Sequence, residues 1–443
     1  MTIDSESPRS LGPGRAIQGA VPVPGSKSLA QRFVLAAAVA RGTTRLEGLP
    51  DSEDVAAALR AARSLGGRVE DLGGGSCRIE GSPDRTGVRA PDDPLDCGES
   101  ATLARLATAL LALAVEPGSR GELAARGSLL RRTSEPLVDA LEAAGARLVS
   151  PGAGTWPLEV TATSALPETV MLNGPVSSQE LSALLLALAA HEAGPRGRSV
   201  LVLGGLPSEP YARMTAAVLE RFGARFGAAG AEWRVAGPLE APAEPVRVEP
   251  DASAAAVALA AGCLSGGEVR VEGFEERSLQ GDLAIVEHLV ALGCRAERVG
   301  GALVASGPPT RAAELDCEAT PDLAPVLAAV AGAHALRAER GSEPTRLVGL
   351  GTLNGKESRR VEVLATGLAA LGLAVEADEE ELSIGSAEGA PVEGALVLDP
   401  HGDHRMAFAF GLLSLVRPGL SVADPGCVAK SWPGFWEDLA PSR

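Results

Sequence analysis

The stretch DVAAALRAARSLGGRVE, residues 54–70, decides the fold. Its apolar residues recur at helical period as far as Leu65. Gly66 then stands where a helix C-terminus is expected, and Arg68-Val69-Glu70 alternates as a strand does. The pattern returns in EPLVDALEAAGARLV (135–149), YARMTAAVLERFGARF (211–226), LAIVEHLVALGCRAE (283–297) and RRVEVLATGLAALGLAVE (359–376). The helix-ending glycines Gly66, Gly145, Gly223, Gly293 and Gly372 stand 70 to 79 residues apart. Strand-like pieces such as TTRLEGLP (43–50), SVLVLGGLP (199–207), EVRVEGF (268–274) and TRLVGLG (345–351) precede several of these helices. A period this long is not that of a solenoid, whose repeats run to about 50 residues. It predicts a small α/β module used six times, the last ending in the short FWEDLA helix (435–440).

Six modules in 443 residues fit two domains of three, since a chain of this length exceeds what one core supports. The Pro-rich AGPLEAPAEPVRVEPDAS (236–253) lies between the third and fourth modules and is the expected hinge, with a second crossing before Val21. The reading is a tail and first crossing at 1–21 that belongs to the second lobe, one lobe at 22–248 and the other at 249–443.

The net charge of −17 argues against nucleic acid and anionic membrane as partners. No window holds 18 uncharged apolar residues. The acidic, Pro- and Gly-broken start is unlike a signal or transit peptide, so a cytoplasmic protein is expected. Six cysteines without a CxxC pair are expected to be reduced, buried thiols. Five histidines without HExxH do not suggest a zinc site, and no metal is expected.

Of the 40 cationic residues only Lys27, Lys356 and Lys430 are lysines, and Tyr211 is the only tyrosine. A chain that uses arginine nearly everywhere has kept a compact, rotatable ammonium at three places. Those places fall in basic windows: GSKSLAQR with Lys27, Ser28 and Arg32; GSLLRRTSEP with Arg131 and Arg132; LNGKESRRVE with Lys356, Glu357 and Arg360; HGDHRMAFAF with Asp403, His404 and Arg405; and CVAKSWPGF with Lys430. Each window adjoins an apolar run, so each is expected at a helix N-terminus, where free N–H groups favour phosphate and carboxylate. Five such ends from two domains would converge on one cleft for a pair of small polyanions. GPVSSQEL (Ser177, Ser178, Gln179), PSEPYARM (Ser208, Tyr211) and EATPDLAP (Asp322) precede further helices. GSKS lacks the upstream glycine of a P-loop, so nucleotide hydrolysis is not indicated.

In order and spacing, PGSKSLAQR, GESATLAR, RRTSEPLVDAL, VSSQ, SEPY, PDASAAA, LQGD, TPD, GKESRR, GDHRMA and AKSWPGF resemble the motifs of the 5-enolpyruvylshikimate-3-phosphate (EPSP) synthase family from about residue 16 onward. The resemblance implies a two-domain, inverse α/β barrel-like fold of three βαβαββ units per domain. It also implies transfer of the enolpyruvyl group of phosphoenolpyruvate to the 5-hydroxyl of shikimate 3-phosphate, by a monomer needing no metal or organic cofactor. By the same resemblance, shikimate 3-phosphate is held by Lys27, Ser28, Arg32, Ser177, Ser178, Gln179, Ser208, Tyr211, Asp322 and Lys356. Phosphoenolpyruvate is held by Lys27, Ala101, Arg132, Gln179, Arg360, Arg405 and Lys430. Asp322, Glu357, Lys27 and His404 are the implied catalytic set, with Asp322 for the acceptor hydroxyl and Glu357 for the donor methylene carbon.

Four positions depart from the family pattern: Glu99 for the usual Asn, Ala101 for a frequent Gly, Thr133 for Pro and Arg359 for Asp. The Ala101 methyl would narrow the donor phosphate pocket and implies tolerance of glyphosate. Glu99 and Arg359 leave open a related transferase acting on another phosphorylated acceptor. The UDP-sugar enolpyruvyl transferases are disfavoured, because their active-site cysteine loop has no counterpart in GELAARGSLLRRT. A non-catalytic anion-binding protein of this fold is disfavoured by the retention of both Asp322 and Glu357.

Overall fold

The five helix-ending glycines all take left-handed backbone, Gly66 at φ +97°, Gly145 at +93°, Gly223 at +83°, Gly293 at +86° and Gly372 at +85°. Only glycine adopts this conformation without a Cβ penalty, and each reverses the chain from a helix into a strand. The computed structural model of the chain describes residues 7–14, 16–81, 88–152, 154–192, 194, 196–386 and 392–440. It divides into two compact units, Gly25–Glu249 and Met1–Pro24 with Pro250–Arg443.

In the Gly25–Glu249 unit the helices are α1 (Lys27–Val39), α2 (Glu53–Ser64), α3 (Ala101–Leu113), α4 (Glu135–Ala143), α5 (Ser178–Ala189) and α6 (Glu209–Arg221). The module is seen whole in its middle copy. Leu95–Asp96 runs parallel to Arg120–Ala124, which is antiparallel to Leu158–Thr161, itself antiparallel to Arg147–Val149. With α3 and α4 interleaved, the chain order is βαβαββ. Thr169–Asn173, Arg198–Leu203, Glu232–Ala236 and Arg225–Ala229 repeat the arrangement with α5 and α6. The remaining sheet takes its leading strand, Val246–Arg247, from the far end of the unit, parallel to Thr43–Glu47.

In the other unit the helices are α7 (Ala252–Ser265), α8 (Ile285–Ala291), α9 (Ala324–Ala335), α10 (Arg360–Ala370), α11 (His404–Ser414) and α12 (Phe435–Asp438). Here too one leading strand is remote: Gly19–Ala20 pairs in parallel with Glu268–Glu272. Glu314–Asp316, Thr345–Val348, Glu381–Gly385 and Ala374–Ala377 form the next sheet. Among the described residues the sixth module has the parallel pair Leu396–Leu398 and Leu420–Val422. Arg9 bridges Val422, exchanging backbone hydrogen bonds of 3.0 and 2.8 Å.

The helices are of two kinds, and composition explains which is which. α1, α3, α5, α7, α9 and α11 are Ala- and Leu-rich on every side and are buried nearly throughout. α2, α4, α6 and α10 alternate buried and exposed faces and cover the sheets. Small side chains let the buried helices approach closely, α3 on α5 and α9 on α11. Buried helices still have N-termini that must be satisfied, and those ends carry most of the motif residues. No described helix is long and apolar enough to cross a membrane.

Candidate functional site

The GSKS stretch is first of all a helix start. Ser26 caps α1, its hydroxyl accepting from Leu29 N–H at 3.4 Å, while its own N–H donates to Glu249 O at 2.8 Å. A Cβ on Gly25 would lie 2.0 Å from the Gly48 carbonyl oxygen, so backbone contact requires glycine there. Lys27, the first residue of α1, places Nζ 3.1 Å from Asp54 Oδ2. Arg32 is buried on the same helix and braces α1 to α6, with Nε donating to Thr215 Oγ1 (2.7 Å), Nη1 to Ser28 O (2.8 Å) and Nη2 to Tyr211 O (3.4 Å). Burial pushes its guanidinium down to about 10, partly opposed by Tyr211.

At α6, Ser208 takes φ +53°, a left-handed conformation that a non-glycine residue holds at a cost of about 1 kcal/mol or more. Tyr211 is half-buried against the unit's core. At α5, Ser177 caps the helix by accepting from Gln179 N–H at 3.2 Å, and Ser178 is buried. Gln179 Oε1 accepts from Arg105 Nη1 at 2.7 Å. At α3, Ala101 is the buried first residue after the Ser100 cap, whose hydroxyl donates to Gln31 Oε1 at 2.7 Å. Arg132 is half-buried at the end of a 3-10 turn, Gly127–Arg131, ahead of α4.

In the other unit one buried guanidinium organises the motif residues. Arg360, only 2 % exposed at its side chain, opens α10 and meets three carboxylates. Its Nε donates to Asp403 Oδ2 at 2.8 Å, Nη1 to Asp322 Oδ1 at 2.9 Å and Nη2 to Glu357 Oε2 at 2.5 Å. Around this hub, Arg405 Nη2 lies 3.0 Å from Asp322 Oδ2, Lys356 Nζ 3.8 Å from Asp322 Oδ1 and Lys430 Nζ 3.1 Å from Glu357 Oε1. His404 Nδ1 is 3.6 Å from Glu357 Oε2. Asp322, Lys356, Glu357, Arg360, His404, Arg405 and Lys430 thus form one connected cluster of cations and carboxylates.

Burial acts to raise the Asp322 carboxyl, but Arg405, Lys356 and Arg360 together outweigh it and hold the group well below the usual carboxylate range. Arg360 is held above its ordinary value, because Asp403, Glu357 and Asp322 outweigh its burial. Glu357, Asp403 and His404 also bring ligand-type atoms within 4.8 Å of one another. The Glu357 and Asp403 oxygens already face Arg360 and Lys430, a donor set arranged for cationic side chains.

Not every basic window stands at a helix start. Lys27, Arg360 and Arg405 do, at α1, α10 and α11. Lys430 instead ends the 3-10 turn Pro425–Lys430, and Lys356 follows the 3-10 turn Leu353–Gly355. Proline at 433 and glycine at 434 keep the chain beyond Lys430 from continuing as a helix.

Sequence reasoning gave no role to Asp403, Arg105, Asp54 or Asp282. Asp403 is fully buried; it caps α11 by accepting from Arg405 N–H at 3.0 Å and also accepts from Ser358 Oγ at 3.1 Å. An aspartate directly before a His-Arg pair and an apolar run is the cap signal that could have marked it. Arg405 Nη2 also donates to Ser253 Oγ at 3.3 Å, and Ser253 in turn donates to Asp282 in a short hydrogen bond. Two of the unusual positions are accounted for within the chain. Arg359 pairs with Glu362 on the exposed face of α10 at 2.6 Å, and Glu99 accepts from Ser128.

A family model for EPSP synthase (3-phosphoshikimate 1-carboxyvinyltransferase) matches residues 11–439. A 3-phosphoshikimate 1-carboxyvinyltransferase of Bordetella avium is 37% identical, the match covering 96% of each chain. Among solved structures, EPSP synthase from Acinetobacter baumannii superimposes with a TM-score of 0.76 at 25% identity over 97% of each chain. The enolpyruvyl transferase NikO from Streptomyces tendae shares the fold, with a TM-score of 0.71 at 22% identity over 97% of this chain and 95% of its own. With the family match running nearly end to end and a relative 37% identical over 96% of each chain, the chain belongs to the EPSP synthase family.

Proposed function

We infer that the two motif-bearing sets carry out the family's reaction. The chain transfers the enolpyruvyl group of phosphoenolpyruvate to the 5-hydroxyl of shikimate 3-phosphate, releasing phosphate in the biosynthesis of aromatic amino acids. The observation that carries this reading is the family match across residues 11–439.

The residue roles are those the family resemblance implies, read together with the charges and contacts described above. Ser28, Ser177, Ser178, Gln179, Ser208 and Tyr211 receive the acceptor's ring and phosphate, with Arg32 holding Ser28 and Tyr211 in place through their carbonyls. Lys27, Arg132 and Lys430 take the donor phosphate as point charges, with Ala101 and the Gln179 amide beside it. Arg405 takes the donor carboxylate, for which a planar fork is suited. Arg360, already engaged by three carboxylates, contributes by keeping Asp322 and Glu357 in place as well as by its charge.

Two protons move. Asp322 accepts one from the 5-hydroxyl as that oxygen attacks C2 of the donor. Glu357 gives one to the methylene C3 and takes one back as the C–O bond to phosphate breaks. Lys430 Nζ at 3.1 Å and His404 Nδ1 at 3.6 Å flank Glu357 as groups through which its proton can exchange with solvent. Glu357→Gln retains the shape but cannot shuttle a proton, so turnover should fall about 10²- to 10⁴-fold. Uptake of solvent deuterium at C3 should fall with it. Turnover near that of the unaltered chain would remove Glu357 from this role.

The Ala101 methyl is buried at the start of α3, where glycine would leave space. Ala101→Gly should tighten inhibition by glyphosate roughly tenfold or more, measured as Ki against phosphoenolpyruvate. An unchanged Ki would leave the methyl without a role in discrimination. The six cysteines are all free thiols, five of them buried, which suits a reducing compartment; a cytoplasmic monomer with small-molecule partners only is the reading adopted here.

A further inference from the structure

The segment that carries Arg132 is held at both ends by the GESATLAR motif. At its start, Glu99 Oε2 accepts from Ser128 N–H at 3.2 Å and from the Ser128 hydroxyl at 2.9 Å. The carboxylate lies flat against the turn. Gly127 has φ +55°, and a Cβ there would stand 2.2 Å from Glu99 Oε1. At the far end Arg105, buried on α3, donates Nη2 to Thr133 O at 2.8 Å and Nε to Ser134 Oγ at 3.0 Å. The Ser134 hydroxyl in turn donates to Glu180 Oε1 at 3.0 Å, and Glu180 Oε2 accepts from Val176 N–H at 3.0 Å. Arg132 sits between the two anchors, its N–H bonded to Leu129 O at 3.1 Å.

Both anchors belong to one rigid helix start. Ser100 caps α3 and is itself tied to Gln31 on α1, so the distance between the anchors is set by the helix. The third fork position of Arg105, Nη1, donates to Gln179 Oε1 at 2.7 Å. With its carbonyl oxygen engaged by a guanidinium, the Gln179 amide presents N–H donors elsewhere, which suits an anion. A carboxylate near a phosphate-binding arginine would ordinarily weaken anion binding. At Glu99 both Ser128 donors are directed at the carboxylate, which ties it to the turn.

We propose that Glu99 and Arg105 are positioning residues that clamp the two ends of the Arg132 segment, orient the Gln179 amide as a donor, and thereby set the affinity for the phosphate-bearing donor substrate. This rests on the reading of Arg132 and Gln179 given under Proposed function.

The test is steady-state kinetics on the full chain with Glu99→Ala, Glu99→Gln, Ser128→Ala and Arg105→Lys. Glu99→Ala should raise KM for phosphoenolpyruvate about tenfold, the effect of losing hydrogen bonds to a charged group. The Ki of inorganic phosphate competing with phosphoenolpyruvate should rise in parallel, with KM for shikimate 3-phosphate unchanged within about twofold. Glu99→Gln, which can still accept from Ser128, should recover most of the loss. Ser128→Ala added to Glu99→Ala should add nothing, because the pair acts as a unit. Arg105→Lys, whose ammonium cannot replace a three-way fork, should raise KM for phosphoenolpyruvate at least as much, with a smaller rise for shikimate 3-phosphate because it also releases Gln179.

In Glu99→Ala, an equal rise in both KM values, or a donor KM within twofold, would overturn the clamp. If Glu99→Ala does not fold, Ser128→Ala alone decides by the same split. Inactivity of the unaltered chain with both substrates would overturn the functional reading instead. The clamp would then be decided by calorimetric titration of inorganic phosphate into the unaltered chain and Glu99→Gln beside Glu99→Ala. Weaker binding in the alanine variant alone supports it, and equal binding in all three refutes it.

Discussion

Asp322→Asn will lower kcat about 10³-fold while both substrates bind within a few-fold of normal, as expected when a proton acceptor is lost from an otherwise intact site. Asp322 precedes α9 on a short 3-10 turn and is bridged by Arg360 Nη1 at 2.9 Å and Arg405 Nη2 at 3.0 Å, with Lys356 Nζ at 3.8 Å. Asparagine keeps the shape and one carbonyl oxygen for these partners, so a loss confined to kcat reads out the proton. The same cations that hold the carboxylate ionised also make it a weak base. In the proposed mechanism its basicity rises when anionic substrate groups take up the charge of Arg405 and Lys356, tying proton acceptance to an occupied site. Weakened binding at unchanged kcat would make Asp322 a structural cap instead.

The pH dependence has a definite sign. The native Asp322 pKa lies below the ordinary carboxylate value, so its stabilising contribution is complete above about pH 4 and is lost as the pH falls from there through the native value. Asp322→Asn lacks that contribution. The stability gap between the two proteins should therefore narrow as acid is added below about pH 4.

Asp403→Ala will give the largest loss of stability among the site variants, about 3–5 kcal/mol. Asp403 is wholly buried and accepts from Arg360 Nε at 2.8 Å, Arg360 Nη2 at 3.3 Å, Ser358 Oγ at 3.1 Å and the Arg405 N–H at 3.0 Å. Its removal leaves a buried guanidinium with one carboxylate fewer and uncaps α11. At the size of one unit this is a fall in Tm of roughly 6–15 °C, read by calorimetry. A shift under about 2 °C would show that Asp322 and Glu357 suffice to compensate Arg360.

Much of this architecture was legible in the sequence because it rests on local chemistry. A glycine after an amphipathic helix marks a left-handed C-terminus, and Gly66, Gly145, Gly223, Gly293 and Gly372 all have one. Other features depend on contacts between distant residues and leave no local trace. Gly19–Ala20 pairs with Val269 and Arg270, and Val246–Arg247 with Leu46 and Glu47, so two sheets draw their leading strands from remote segments. The bridge of Arg9 to Val422 in the sixth module is hidden for the same reason, since the two residues lie far apart in the chain. Within the candidate site the cations stood out because lysine is so scarce here. Their partners did not: Asp403 lies 43 residues from Arg360, and Gln179 lies 74 from Arg105. Glu99 stood out only as a departure from the family pattern, and its partner Ser128 lies 29 residues away.

The most direct test of the whole account is phosphate release by the purified chain from phosphoenolpyruvate, with and without shikimate 3-phosphate, alongside the mass of the organic product. The account predicts release only when both substrates are present, with one enolpyruvyl adduct of shikimate 3-phosphate formed per phosphate. Release from phosphoenolpyruvate alone, or none with both substrates present, would contradict it.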